Sequence, residues 1–329
     1  MIIYLGKGDN IMFYVSSYKN DLIGVTDTDD GIEEFYPRDF LDSLDIDIIG
    51  YNYEITLGSY YKTIYFKYTL INYDNSIGWV IKALPRENGV YRCKSTFLGI
   101  PVICAGSCFE DCEATHLNLR GMDTSNIMDM SDMFSNCNEL TDLDLSSFNT
   151  SNVVSMRGMF NECTKLRSIN MTSFDTSKVE NFSEMFSSCE SLVDLDISHF
   201  NMNNADELDY TFSDCINLRN VVLPKVTYSY SNINAVGLFK SCKSLVSLDL
   251  LGFNDNIKEA YDIVDACYNL NVIYTSAEEV VREASLYNRF LIVTPVSFAN
   301  NSYKVVKYKN EIPKLLLMGY KGVVCCNEI

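Results

Sequence analysis

Between residues 109 and 275 apolar positions return in one fixed phrase. It is clearest in Met133, Phe134, Cys137, Leu140, Leu143, Leu145 and Phe148, again in Phe160, Cys163, Leu166, Ile169, Met171 and Phe174, and again in Phe186, Cys189, Leu192, Leu195, Ile197 and Phe200. Looser copies run through Phe109, Cys112, Leu117 and Leu119, through Phe212, Cys215, Leu218, Val221 and Leu223, and through Phe239, Cys242, Leu245, Leu248, Leu250 and Phe253. Cys112, Cys137, Cys163, Cys189, Cys215, Cys242 and Cys267 stand 25, 26, 26, 26, 27 and 25 residues apart. A fixed period of this length identifies a structural repeat.

Each copy contains two periodicities. The Leu143-Asp144-Leu145 portion alternates as a strand does, whereas Val153, Met156, Met159 and Phe160 recur at three- and four-residue intervals and predict one face of a helical turn. Thr124-Ser125, Thr150-Ser151 and Thr176-Ser177 precede the helical portion, where hydroxyls accept hydrogen bonds from unpaired backbone amides; Ser177 with Glu180 has capping-box spacing. One copy cannot enclose its own apolar stripe, but stacked copies share a core. The expectation is a solenoid with strands on one face and helical segments on the other.

The phrase L-x-x-L-x-L-S-x-F…S-x-V-x-x-M-x-x-M-F-x-x-C resembles the bacterial leucine-rich repeat family of BspA type, over about residues 109–275. The resemblance implies a curved α/β leucine-rich repeat solenoid of about seven units, and a binding role rather than a reaction. It also implies kinship with surface adhesins and mobile-element proteins of Firmicutes and mycoplasmas.

Three segments are expected. Residues 1–98 form a β-rich domain, with eleven of the 22 tyrosines before residue 90, a long strand over Tyr60–Leu70, turns at Gly8-Asp9-Asn10, Asp30-Gly31 and Asn88-Gly89, and a short helix from Pro37 toward Leu44. Residues 99–275 are the solenoid. Residues 276–329 are a small α/β cap, opening with a capping box at Ser276-Ala277-Glu278-Glu279, a helix through Tyr287 and a buried strand at Phe290–Val293.

Charge points to the solenoid as the interacting part. Asp plus Glu against Lys plus Arg is 14 to 9 over residues 1–100, 25 to 10 over 101–275 and 5 to 7 over 276–329, within a net charge of −18. Such a field disfavours direct binding of nucleic acid or an anionic membrane and favours a protein partner with a basic face. With Leu143 and Leu145 inward, the strand period turns Asp142 and Asp144 outward, and stacking sets Asn170, Asp194, Asp196 and Asp249 in the same columns. These six residues are the candidate partner-binding set.

No metal, cofactor or catalytic residue is assigned. Alternate carboxylates in a column stand nearly 10 Å apart on a strand spacing of about 4.8 Å, too far to share a calcium ion. The Asp27-to-Gly31 stretch has its glycine one place early for an EF-hand and reads as a hairpin turn. Cys104, Cys108 and Cys112, at helical spacing, read as core packing, as does the cysteine ladder. Only two histidines exist, His116 and His199, and no phosphate loop, dinucleotide fingerprint, zinc-protease motif or triad signature accompanies them. Lys304, Lys307 and Lys309 read as a solvated face.

The short apolar run Met1–Tyr4 is no export signal, and no stretch reaches the 18 or so apolar residues of a membrane span. A cytoplasmic chain is expected. The function expected is non-enzymatic protein binding, in a phage or mobile-element form as an inhibitor whose acidic face imitates phosphates in a host nucleic-acid-processing enzyme. The alternatives are a surface adhesin, which requires export, and a hydrolase housed in residues 1–98.

Overall fold

Each repeat after the first spends three residues on a parallel strand and nearly all the rest on turns. The computed structural model describes residues 100–226, 233–253 and 256–286 in full; elsewhere it describes the strands named below with a few joining residues. The repeat strands are β11 (Leu117–Met122), β12 (Asp142–Asp144), β13 (Ser168–Asn170), β14 (Asp194–Asp196), β15 (Asn220–Val222), β17 (Ser247–Asp249) and β19 (Val272–Tyr274). Their central residues Leu143, Leu195 and Leu248 are buried while the flanking ones face outward, as a period of two requires.

The opposite wall departs from expectation: it is not helical. Along residues 105–112 backbone amides bond alternately within the repeat and to the next one. Cys108, Glu110 and Cys112 reach back three residues to Ala105, Ser107 and Phe109, whereas Ser107, Phe109 and Asp111 donate to the carbonyls of Ser131, Met133 and Ser135 at 2.8–2.9 Å. Pairs of residues with positive φ, four apart, make this reversal possible: Asp132 and Asn136, Gly158 and Glu162, Glu184 and Ser188, Tyr210 and Asp214, and likewise in the other repeats. A helix needs every residue right-handed, so two left-handed residues per repeat exclude it. The inward stripe is nevertheless the expected one, with Val153, Met156, Met159 and Phe160 all fully buried.

The chain divides into two units, residues 1–155 with 168–175, and residues 156–167 with 176–329. In the first, a seven-stranded sheet runs β1 (Ile2–Ile3), β2 (Ile11–Ser16), β5 (Glu54–Ser59), β6 (Thr63–Tyr73), β7 (Ser76–Leu84), β10 (Ile100–Cys104), β9 (Thr96–Phe97), and β3 (Val25–Thr28) pairs β4 (Gly31–Glu34) as a hairpin with Thr28 opposite Gly31. The long strand expected at Tyr60–Leu70 is β6. Strand pairing crosses residue 98: β10 lies parallel to β7, and β8 (Gly89–Cys93) lies parallel to β11. A Cβ on Gly78 would sit 2.5 Å from Ile103 Cγ1, so only glycine permits this approach. Asn88 Oδ1 accepts the amides of Thr115 and His116, and Tyr91 meets the Phe109 ring edge-on at 4.6 Å. The first repeat is thereby covered. The helix expected from Pro37 lies outside the described residues.

In the second unit Phe160, Phe186, Phe212 and Phe239 stack at centroid distances of 5.4, 5.6 and 4.9 Å. Strands β16 (Ile233–Asn234) and β18 (Ile257–Glu259) pair on the turn wall. The stack ends in a sheet β17, β19, β20 (Leu291–Thr294), β21 (Gly322–Cys325), whose last pair is antiparallel, and in the helix α1 (Glu278–Ser285), which buries Val280, Val281 and Ala284. The helix and strand expected here are present, but the capping box is not: no side chain caps α1, Thr275 Oγ1 accepts the Ala277 amide, and Ser276 Oγ has no hydrogen-bond partner. The lysine cluster and the Cys326 side chain lie outside the described residues.

Candidate functional site

The expected columns are set by the ladder register. In the first unit Asp142 stands opposite Ser168, and Asp144 opposite Asn170; in the second Asp194 stands opposite Asn220, and Asp196 opposite Val222. Asp249 pairs with Tyr274 in register. All six predicted residues point outward from the strands, with Asp144 half-buried and the rest exposed.

Three of the five aspartates have a local structural cause. At each strand end a side-chain oxygen accepts the amide two residues on: Asp144 from Ser146 at 3.1 Å, Asn170 from Thr172 at 3.3 Å, Asp196 from Ser198 at 2.9 Å and Asp249 from Leu251 at 2.9 Å. These are Asx turns, for which Asp and Asn are interchangeable. Val222 breaks the column because the residue two on is Pro224, which has no amide hydrogen to offer. Asp142 and Asp194 have no such role. They accept hydrogen bonds across the ladder, Asp142 from Ser168 and Asp194 from Asn220, and Asp142 accepts a further one from the neighbouring Thr141.

The faces of the two units differ in chemistry. In the first, Arg120 pairs with Asp144 at 3.1 Å, which neutralises that carboxylate, and Asn170 donates a hydrogen bond to it. Hydrogen bonds from Ser146, then Arg120, hold Asp144 down at a pKa of about 2. In the second, among the described residues no Lys or Arg pairs with Asp194, Asp196 or Asp249. The Asp196 carboxyl is likewise lowered by Ser198, with a smaller contribution from His199. Val222, opposite Asp196 in register, is 50% exposed, and Val193 and Val246, just before β14 and β17, are 40 and 47% exposed. Sequence reading left these valines out of the candidate set; for Val222 the signal was the run Val221-Val222-Leu223, apolar at an outward position.

A second acidic group lies on the turn wall. Burial, followed by repulsion from Asp209, Asp206 and Glu259, raises the pKa of Glu207, and burial with Glu259 and Glu184 raises that of Asp209. Among the described residues no group of three or more His, Cys, Asp or Glu side chains is placed to hold a metal ion. None of the ten described cysteines forms a disulfide, and all are buried. Their arrangement is a ladder: Cys137 donates its thiol to the Phe109 carbonyl at 3.1 Å, Cys189 to Phe160, Cys215 to Phe186, Cys242 to Phe212 and Cys267 to Phe239. Burial pushes Cys215 and Cys267 up to about 12, far from a reactive thiolate. Cys104, Cys108 and Cys112 sit in the core too, on a strand end and turns rather than on a helix.

A parallel strand and a wall of turns per repeat, closed around a shared interior, define a leucine-rich repeat solenoid. Residues 105–223 match the family described as Mycoplasma protein of unknown function, DUF285, and residues 208–307 match the BspA type leucine rich repeat region. The repeats within residues 208–307 are thus similar to those of the BspA type. None of the curated proteins compared matches the chain. Repeats of this type form protein-interaction modules, and no helix among the described residues is long and apolar enough to cross a membrane.

Proposed function

We propose that the chain is a non-enzymatic binding protein acting in the cytoplasm, and that it presents the strand face of its repeats to a basic face of a partner protein. One observation carries this reading. The outward strand positions hold carboxylates, of which Asp144 and Asp196 are held below the usual carboxylate range by hydrogen bonds at the strand end, and among the described residues no Lys or Arg pairs with Asp194, Asp196 or Asp249 in the second unit. Such charges attract a cationic surface over about a Debye length of 8–10 Å.

The test is affinity capture on the immobilised full chain from a lysate of its source cells, at about 50 and 500 mM salt. In one variant Asp142, Asp144, Asp194, Asp196 and Asp249 become Asn, which removes charge and keeps the Asx turns; in a control, Glu110, Glu162, Glu184, Glu207 and Glu259 on the turn wall become Gln. Partner retained by the wild type and the control, but lost by the face variant and at high salt, is the expected result. Equal capture by all three folded proteins defeats the proposal. Fractionation of the source cells separates this reading from an adhesin, which would be recovered outside them.

A further inference from the structure

Where β8 meets the first repeat, the Asn88 side chain makes the joint, and its position in the sequence makes it reactive. We propose that Asn88 is a site of self-modification, at which the Gly89 nitrogen displaces the side-chain amide as ammonia and the first repeat supplies the donors that promote the loss and steer the product to aspartate. The inference does not depend on the partner-binding reading.

Three observations carry it. Asn88-Gly89 is the one Asn-Gly pair in the chain. Glycine puts no side chain in the way of its own nitrogen as that nitrogen closes on the preceding carboxamide. Asn88 is exposed and lies just before β8, which begins at Gly89, so water reaches the pair.

The second observation is an asymmetry in how the amide is held. Its Oδ1 accepts the Thr115 amide at 2.8 Å, the His116 amide at 2.9 Å and the Thr115 hydroxyl at 3.2 Å, whereas among the described residues its Nδ2 makes no hydrogen bond. Two backbone donors fix which end of the amide is oxygen. The nitrogen can therefore leave without breaking a contact, and a carboxylate in its place accepts from the same donors more strongly.

The third is what those donors do during reaction. Two successive backbone amides and a hydroxyl converging on one carbonyl oxygen stabilise negative charge as it develops there. Because the Thr115 hydroxyl points its hydrogen at Asn88, the His116 ring donates to that hydroxyl from Nδ1, 2.9 Å away, and holds it in place.

The chemistry needs only the chain and water. The Gly89 nitrogen bonds to Asn88 Cγ, the Cγ–Nδ2 bond breaks, and ammonia leaves with the proton that Gly89 gives up, closing a cyclic imide. Water then opens the ring. Attack at Cγ restores the ordinary main chain and leaves aspartate, whereas attack at the main-chain carbonyl leaves isoaspartate, the major product of an unconstrained imide. The donors on Oδ1 favour attack at Cγ, so the native chain is directed to aspartate.

The test follows residue 88 of the full chain by peptide mass spectrometry during incubation at pH 8, in native buffer and in urea. Conversion is expected in both, mainly to aspartate in native buffer and mainly to isoaspartate in urea. Thr115→Val is expected to slow native conversion about tenfold and to leave the rate in urea unchanged. Gly89→Ala is expected to slow both about tenfold. Asn88→Asp, made directly, is expected to slow hydrogen exchange of the Thr115 and His116 amides about tenfold at pH 7. Circular dichroism of each variant confirms the fold.

An amide at residue 88 that survives in native buffer while it is lost in urea overturns the proposal, because the fold would then protect the pair. Native conversion mainly to isoaspartate does the same, as does a Thr115→Val variant that converts as fast as the wild type. Faster exchange of the two amides in Asn88→Asp would show that the pocket rejects the product, and would overturn it too.

Discussion

Thr150 shows how one side chain can join two repeats. Its hydroxyl donates to the carbonyl of Asp175 at 2.9 Å and accepts the Asp175 amide at 2.8 Å, and Thr124 with Asn149 and Thr176 with Asn201 repeat the arrangement. All three threonines are buried. Thr150→Val keeps the shape and strands a buried amide and carbonyl, at about 1–3 kcal/mol, whereas Thr150→Ser keeps both bonds and loses only a methyl group, about 1 kcal/mol. Urea unfolding of the two variants checks this, and equal midpoints would count against the double bond. Glu207 and Asp209 act the other way. Their pKa values are raised in the folded state, so their contribution is present below the unfolded carboxylate value and lost as pH rises through the folded one. At neutral pH they destabilise the wall. Glu207→Gln, which can still accept from Asn234, should raise the melting temperature at pH 7, by on the order of half a kcal/mol in stability, and leave it unchanged near pH 4, where Glu207 is largely protonated. A melting temperature that does not rise at pH 7 would show that the charge of Glu207, through burial and repulsion together, does not weaken the wall.

Among elements, what was legible in the sequence was what alternation controls. The triplets Asp142–Asp144, Ser168–Asn170 and Asp194–Asp196 are strands with the expected inward residue and register, because a two-residue period admits one assignment. The turn wall was not legible. Spacings of three and four residues suit both a helix and a run of turns, and the deciding feature is backbone handedness at residues such as Glu184, Ser188 and Ala266, which carry no glycine signal. The threonines were placed rightly as acceptors of backbone amides but wrongly as helix starts, since the amide comes from the neighbouring repeat. The candidate site was legible as a column of acids, but the reason for three of its aspartates was not, because an Asx turn shows only once the amide two residues on is seen to donate. The strand end therefore has its own prediction. Asp196→Asn retains the Ser198 amide bond and leaves thermal stability nearly unchanged, whereas Asp196→Ala removes it and lowers stability by about 1 kcal/mol. Indistinguishable melting curves for the two would show the turn to be dispensable.

At the scale of the molecule, stability follows from each turn bonding chiefly to its neighbours. Within the second unit Glu184, Phe186 and Ser188 donate to Asp209, Thr211 and Ser213, and Tyr210, Phe212 and Asp214 donate in turn to Val236, Leu238 and Lys240. A repeat that opens alone leaves two sets of amides and carbonyls unpaired, so opening is expected to spread by whole blocks of repeats. The buried thiols report this directly, since each repeat carries one and the pKa of about 12 at Cys215 and Cys267 keeps a protected thiol unreactive at pH 8. In native buffer the cysteines from Cys137 to Cys267 should resist a thiol reagent. As urea is raised, mass spectrometry should find neighbours such as Cys189, Cys215 and Cys242 labelled over the same narrow range of denaturant. Labelling of Cys215 while Cys189 and Cys242 remain protected would mean that a single turn opens without its neighbours, and the coupling through stacked phenylalanines, shared amides and thiol-to-carbonyl bonds would have to be weaker than their geometry implies.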